Sequence, residues 1–303
     1  AEDGIRDLVR SRGLGDVYKR QVYSFSLRVY KETLKSNMSS LVPLHEKIKD
    51  PGPTDWLAKH KEPGQTFEEY LKCRLVIPDK KRNIIYVSIF GDLSEEEREV
   101  IGITAEFIGI YFNLPVKLGR EISIDEIPEK DRRKSPLDRT LQVSAKFVMN
   151  EILKKEIPND AAVYTAITNI GLWPGEDGWN FVHGMASLYE RIAVSTFHDY
   201  GDPKIKGKIN KKLLLRLLKT TTHEIGHMFS MQHCIKYQCN LCGSNNIRET
   251  DQKPLWLCPE CMAKVCWITK TLPKDRYKRL MEFCKKYGLT EEYKFYRKSF
   301  EKL

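Results

Sequence analysis

Residues 223–234, HEIGHMFSMQHC, place three of the chain's seven histidines at fixed spacings. His223 and His227 are four residues apart, so on an α-helix they lie on one face, one turn apart. The preceding residues, KKLLLRLLKTTT, have the composition and leucine periodicity of a helix, which therefore extends into the motif. Two imidazoles in this arrangement can share one zinc ion. The stretch therefore predicts a helix that carries a metal site.

Glu224 and His233 extend this prediction from a metal site to a catalytic one. Glu224 follows the first histidine, where a carboxylate can act as general base on a zinc-bound water. His233 is six residues beyond His227, and at about 100° per residue a continuing helix would turn it roughly 240° away. If His233 is the third ligand, the chain must leave the helix near Ser230 and turn back. Three histidines, an open fourth metal position and a glutamate indicate peptide hydrolysis.

Six of the eight cysteines lie between residues 234 and 266. Such clustering, with no apolar leader ahead of it, favours metal binding in a reducing compartment over disulfides. We therefore expect a cytoplasmic location, with the nucleus as a second one. Spacing alone selects the layout of a zinc ribbon, but Cys234 is also close enough to take part. The ribbon pairs are Cys239 with Cys242 and Cys258 with Cys261.

Strand and helix patterns alternate along the middle of the chain, which favours a sheet covered by helices. Ser94 and Glu97 form a capping box that starts one of these helices. The predicted strands are 83–90, 115–119, 161–170, 181–188 and 191–200. The predicted helices are 22–50, 94–112, 145–156, 211–229 and the tail from 271.

Composition divides the chain into four parts. Residues 1–21 are charged and aperiodic, as in a disordered or non-native leader, and 22–75 form a helical and loop region broken by PGPTDW. We expect the metal-dependent hydrolase domain over 76–270, with its cysteine segment at 234–261. Residues 271–303 are a charged, helical C-terminal tail.

Charge and hydropathy argue against two other classes of protein. The net charge of +10 is most simply a solvated basic surface, and the densest basic run, 204–219, lacks the interleaved aromatics of a stacking platform. A nucleic-acid partner is therefore disfavoured. No run of about 18 apolar residues is present, so we expect no membrane partner. We expect a monomer.

Several motifs resemble one family, the archaemetzincins, which are zinc-dependent peptidases of the metzincin clan. The resemblance is strongest to their eukaryotic branch, and it covers roughly residues 56–267. The motifs that carry it are THEIGHMFSMQHC, CNLCGSN, DQKPLWLCPEC, WNFVHGMASL and STFHDYG, with a weaker match at TDWLAKH.

This resemblance implies two zinc ions and a peptidase, of the amino- or oligopeptidase kind, that acts on a peptide or short polypeptide. The catalytic zinc ligands would be His223, His227 and His233, with Glu224 as general base. The structural zinc ligands would be Cys234, Cys239, Cys258 and Cys261, with Cys242 as the alternative to Cys234.

The fold that the resemblance implies is an α/β (α+β) zincin of the metzincin type. It has a twisted mixed sheet with an antiparallel edge strand, an active-site helix, a cysteine-rich zinc-binding insert and a helical C-terminal part. FVHGMASL is the candidate edge strand, to which a peptide would add as a further strand. His183 on this segment is expected to be structural. His45, His60 and His198 have no partners that the sequence identifies.

Two residues depart from the metzincin pattern. Ser230 replaces a glycine at the turn before His233, and a serine held at positive φ costs roughly 1–2 kcal/mol. Leu241 replaces the methionine beneath the zinc histidines; it keeps an apolar floor but loses the adaptable fit of methionine. These changes leave a second hypothesis open, a catalytically weak or silent zinc-containing binding protein. A third, a zinc-ribbon nucleic-acid binder, leaves the histidines unexplained.

Overall fold

The structure is a computed structural model that describes residues 26–175 and 180–303. The predicted leader at 1–21 and the first four residues of the predicted helix 22–50 lie outside these ranges. Within the described ranges, no helix combines the length and apolar character needed to cross a bilayer.

A five-stranded mixed sheet in the order β2-β1-β5-β8-β7 forms the centre of the molecule. The first four strands are parallel, and β7 pairs antiparallel with β8 at one edge. The predicted mixed sheet with an antiparallel edge strand is therefore confirmed. Its strands are β1 (Ile84–Phe90), β2 (Val116–Ile122), β5 (Ala161–Thr168), β7 (Gly184–Ala186) and β8 (Ile192–Thr196).

Smaller β-elements flank this sheet. β3 (Arg132–Lys134), β4 (Leu141–Ser144) and β6 (Gly171–Trp173) form a three-stranded sheet. β9 (Lys204–Ile205) and β10 (Lys208–Ile209) form a short hairpin that leads into the helix carrying the histidines.

The helices follow the capping and periodic signals of the sequence. Ser94 caps α4 through the predicted capping box with Glu97, and that helix ends at Phe112 as predicted. The described helices are α1 (26–41), α2 (Trp56–Lys59), α3 (Phe67–Tyr70), α4 (Glu95–Phe112), α5 (Ala145–Phe147), α6 (Lys154–Glu156), α7 (Lys211–Met228), α8 (Ile247–Gln252), α9 (Pro259–Thr269), α10 (Pro273–Tyr287) and α11 (Thr290–Lys302). A π-helical stretch, Val148–Leu153, joins α5 to α6. Short 3-10 turns occupy Val42–Leu44, Ile124–Glu126 and Glu129–Asp131.

Each face of the main sheet packs against its own apolar layer. Ile85, Val87 and Ile89 of β1 join a core that includes buried residues of α4, α7, α9 and α10. On the opposite face, Phe90 packs with Val194 and with the π-helical stretch. All eight residues of β5 are buried, as expected for a central strand of a parallel sheet. The sheet therefore supports α7 on one of its faces.

Three predicted elements are clearly shorter in the structure. The predicted strand 191–200 contributes only Ile192–Thr196 to the main sheet. The predicted helix 22–50 ends at residue 41, because Pro43 lacks the N–H that would continue it, and the chain is non-helical from His45. The predicted strand 181–188 contributes only β7 to the main sheet. Val182 instead pairs with Leu172 of β6, so this segment is divided between two sheets.

Candidate functional site

Helix α7 has an apolar N-terminal part and a polar C-terminal end. Leu213, Leu214, Leu217 and Leu218 are buried in the core, which fixes the helix against the sheet. At its C-terminal end His223 and Glu224 are also buried. Gly226 lets Leu241 approach closely, since a Cβ at this glycine would lie 3.1 Å from the leucine's Cδ1. Leu241 is thus the apolar floor beneath the helix end.

The three predicted histidines converge on one point. The Nε2 of His223 lies 3.0 Å from that of His227 and 3.2 Å from that of His233. Their outer nitrogens all contact oxygens. The Nδ1 atom of His223 lies 2.8 Å from the Asn240 carbonyl, and that of His227 lies 2.7 Å from the Met231 carbonyl. The Nδ1 atom of His233 lies 2.7 Å from Glu62 Oε1.

This pattern of contacts fits a bound cation. Carbonyl and carboxylate oxygens only accept, so each Nδ1 carries the proton and each Nε2 presents a lone pair. Three lone pairs at such short separations repel one another unless a metal ion lies among them. Burial lowers the pKa of His227 to about 3 and that of His223 well below its usual value, so both rings are neutral, as ligands must be. An all-histidine donor set with room for a further ligand suits zinc.

His233 reaches this point because the chain leaves the helix where the sequence analysis required. α7 ends at Met228, and Ser230 has a φ of 64°. The strain at this serine is offset by its hydroxyl, which accepts a hydrogen bond from the Val76 amide and donates one to the Leu188 carbonyl. A glycine could make neither bond, which explains how this turn accommodates serine.

Glu224 lies against the edge strand. A Cβ added to Gly184 of β7 would fall 2.4 Å from Glu224 Oε1, so only glycine leaves room for this carboxylate. Burial raises the pKa of Glu224 to about 8. No described residue donates a hydrogen bond to the carboxylate, which lines the cleft above the histidines.

The cleft has a volume of about 780 Å³ and extends from β7 across the histidines. His183, Gly184 and Met185 line this cleft. Lys253 also lines the cleft; its ammonium donates to the Cys242 carbonyl, and burial lowers its pKa to about 8. Trp56, Lys59 and His60 also line the cleft, although they come from the region before the predicted hydrolase domain.

Four cysteines form a second cluster, beside the histidines. The sulfurs of Cys234, Cys239, Cys258 and Cys261 lie within 4.8 Å of one another, and all four residues are buried. Cys258 caps the N-terminus of α9, where backbone N–H groups favour thiolates. Cys242 is outside this group; its sulfur lies 3.3 Å from the Tyr237 carbonyl.

The remaining cysteines and histidines belong to neither of these two clusters. Cys266 and Cys284 are buried in the core and Cys73 is exposed. Burial lowers the pKa of His45 and of His183 to about 4. His198 lies with Asp138 and Asp199, but its ring nitrogens already contact the Asn169 carbonyl and the Thr140 hydroxyl.

The basic run at 204–219 is largely engaged within the protein. Arg216 forms a two-pronged ion pair with Asp251, and Lys204 pairs with Glu99. The Lys219 ammonium is buried and donates to the Thr250 and Asp251 carbonyls. These contacts leave fewer cations for phosphate than the sequence suggests.

Three contributors to the site were not predicted from the sequence. Glu62 contacts His233 from 171 residues away, Gly184 gives Glu224 its space, and Lys253 lines the cleft. The weak TDWLAKH match, which ends two residues before Glu62, was the available signal for the first of them.

One helix carries a histidine pair and a glutamate, a turn brings a third histidine back to them, and the sheet has an antiparallel edge strand. Together these features are those of the metzincin class of zinc metallopeptidases. The model for peptidase family M54 matches residues 141–266. Archaemetzincin-2 of Homo sapiens is 31% identical over an alignment of 262 residues, and the match covers 76% of this chain and 72% of that protein. The chain belongs to the archaemetzincin family of zinc metallopeptidases.

One further relative agrees with this family, and one solved structure shares the fold. Archaemetzincin-2 of Mus musculus is 30% identical over 84% of this chain and 79% of its own length. The crystal structure of archaemetzincin from Methanopyrus kandleri has a TM-score of 0.51 at 22% identity, over 64% of this chain and 99% of that one. The predicted family, with its eukaryotic branch, and the predicted fold class are confirmed.

Proposed function

We propose that this chain hydrolyses peptide bonds at the cleft above α7, with Glu224 as general base and the three histidines as ligands of a catalytic zinc ion. The observation that carries the proposal is the convergence of three Nε2 atoms whose Nδ1 partners are all acceptors. Zinc bound there would supply a Lewis acid that polarises a carbonyl and acidifies water.

The position of Glu224 supports its proposed role in proton transfer. Its carboxylate borders the cleft beside His223 and accepts no hydrogen bond from the described residues that would compete for its lone pairs. In the proposed mechanism, a Glu224 oxygen takes a proton from the attacking water and later delivers it to the leaving nitrogen. Gly184 leaves room for that oxygen against the edge strand.

The edge strand is the proposed peptide-binding element. β7 ends the main sheet, and within the described ranges no strand pairs with its outer side, so an extended segment could add there in an antiparallel manner. Such pairing would lay the substrate backbone across the cleft, with its scissile carbonyl over the histidines. This mode of binding recognises the backbone of the substrate rather than its side chains, which supports a peptide or short polypeptide as substrate.

We also propose a second, structural zinc ion held by Cys234, Cys239, Cys258 and Cys261. All four are buried, so the site is closed to substrate and serves to hold the chain. Clustered thiols of this kind persist in reducing compartments, which supports the proposed cytoplasmic, and also nuclear, location. We propose that the chain acts as a monomer.

The test is hydrolysis of fluorogenic peptides by the zinc-loaded protein, with free and with acetylated N-termini. We expect cleavage that 1,10-phenanthroline abolishes and added zinc restores. Cleavage of the peptides with free N-termini but not of the acetylated ones would identify an aminopeptidase. Cleavage of both kinds of peptide would identify an oligopeptidase. Peptide binding without cleavage by the fully zinc-loaded protein would instead support the silent binding protein.

A further inference from the structure

A segment far from the motif in sequence borders the metal site. We call residues 54–65 the bracing segment; it lies outside the part of the chain that the family model matches, 141–266. At its first end the Trp56 amide donates to Glu249 Oε1 (2.8 Å), and Asn245 donates to the Thr54 carbonyl (3.1 Å). Gly243 lies flat against the Trp56 indole, since a Cβ there would be 2.4 Å from the ring.

The other end of the bracing segment holds the turn that precedes His233. The Gln65 side chain accepts a hydrogen bond from the Gln232 amide (3.2 Å) and donates one to the Ser230 carbonyl (3.4 Å). Lys264 of α9 in turn donates to the Gln65 backbone carbonyl. The segment is therefore fixed on both sides of the metal site.

Between these ends, Glu62 contacts the third histidine directly. Its Oε1 lies 2.7 Å from His233 Nδ1, and the two side chains are only 22% and 17% exposed. The edge of Trp56 packs against the His233 ring, with centroids 5.2 Å apart. Indole and carboxylate together fix the plane of this imidazole.

His233 differs from the other two histidines in what holds it. His223 and His227 belong to a rigid helix, and their Nδ1 atoms contact backbone carbonyls. His233 follows a turn with a residue at positive φ, and its Nδ1 partner is a carboxylate from a distant segment. Its orientation therefore depends on a side chain that can be removed without changing the motif.

We propose that Glu62 is a positioning residue for His233, so that the bracing segment completes the histidine metal site. A carboxylate on the outer nitrogen of a ligating histidine fixes its tautomer and orientation and raises its basicity, and removing one typically weakens metal binding about 10–100-fold. The inference rests on the proposed function, because it requires zinc at the histidines.

The test compares Glu62→Ala and Glu62→Gln with Glu68→Ala, a control on the adjacent helix α3, where the Glu68 carboxylate pairs with Lys31 and Lys35. We expect the zinc dissociation constant of the histidine site, measured by chelator competition, to rise about 10–100-fold for Glu62→Ala. Glu62→Gln keeps an acceptor without the charge and should show a smaller rise. Glu68→Ala should match the wild type, and all variants should keep the cysteine-bound zinc.

A double-mutant cycle separates positioning from general stability. If Glu62 acts through His233, Glu62→Ala should change zinc affinity less than about twofold in a His233→Ala background, since the group it positions is gone. The visible spectrum of the cobalt-substituted protein should also change in Glu62→Ala and not in Glu68→Ala. Unchanged zinc affinity in Glu62→Ala would overturn this inference and leave the proposed function intact. A wild type with no zinc at the histidines would overturn the proposed function itself.

Discussion

Glu224→Gln should lower the rate of peptide hydrolysis about 10³-fold, which is within the range that general-base catalysis supplies. Glutamine fills the same space between α7 and Gly184 but cannot take up the proton of the attacking water. Because Glu224 is buried, a neutral amide costs no additional desolvation there. Zinc content and the free energy of unfolding should therefore remain at wild-type values.

The measurement is kcat/KM for a fluorogenic peptide, with zinc counted in the same preparation. Glu96→Gln, on the exposed face of α4, makes the same chemical change away from the cleft and should retain full activity. Residual hydrolysis above about a tenth of the wild-type rate, in protein that keeps its zinc, would contradict the role of Glu224 as general base.

Cys234→Ser should remove the cysteine-bound zinc and lower the free energy of unfolding by on the order of 5 kcal/mol, since structural zinc contributes roughly 10–16 kcal/mol in zinc-finger peptides. The effect should also reach the histidines. Cys234 directly follows His233, and the Asn240 carbonyl that holds His223 lies in the loop after Cys239. Loss of the cysteine site therefore loosens two of the three histidines, and hydrolysis should fall with stability.

Cys242→Ser is the matched control for this prediction. It makes the same substitution in the same loop, but its sulfur lies outside the four-cysteine cluster. We expect it to keep both zinc ions and to change the free energy of unfolding by less than about 1 kcal/mol. Urea unfolding and zinc counting measure both variants. The opposite pattern, zinc lost in Cys242→Ser and retained in Cys234→Ser, would assign the fourth ligand to Cys242.

Local signals in the sequence predicted the elements that depend on local physics. The leucine period of α7 predicted that His223 and His227 share a face, and Ser94 predicted the start of α4. The geometry of a continuing helix also located the turn at Ser230. In each case the determining interactions lie within one or two helical turns.

Contacts between distant segments could not be predicted from local signals in the sequence. Nothing local links Glu62 to His233, or Gly184 to Glu224, because each pair meets only after the sheet and α7 have packed. Spacing alone could not choose between Cys234 and Cys242, since both lie within reach of the other cysteines. The cost assigned to Ser230 omitted the two hydrogen bonds of its hydroxyl, which exist only in the folded chain.

Zinc per chain, counted by native mass spectrometry for the wild type and for His233→Ala, tests the three-histidine site most directly. We expect two zinc ions in the wild type. His233→Ala should hold one, or one with partial occupancy of the second, because two histidines remain while the cysteine cluster is intact. One zinc ion in both proteins would mean that only the cysteines bind metal, and it would contradict a catalytic zinc at His223, His227 and His233.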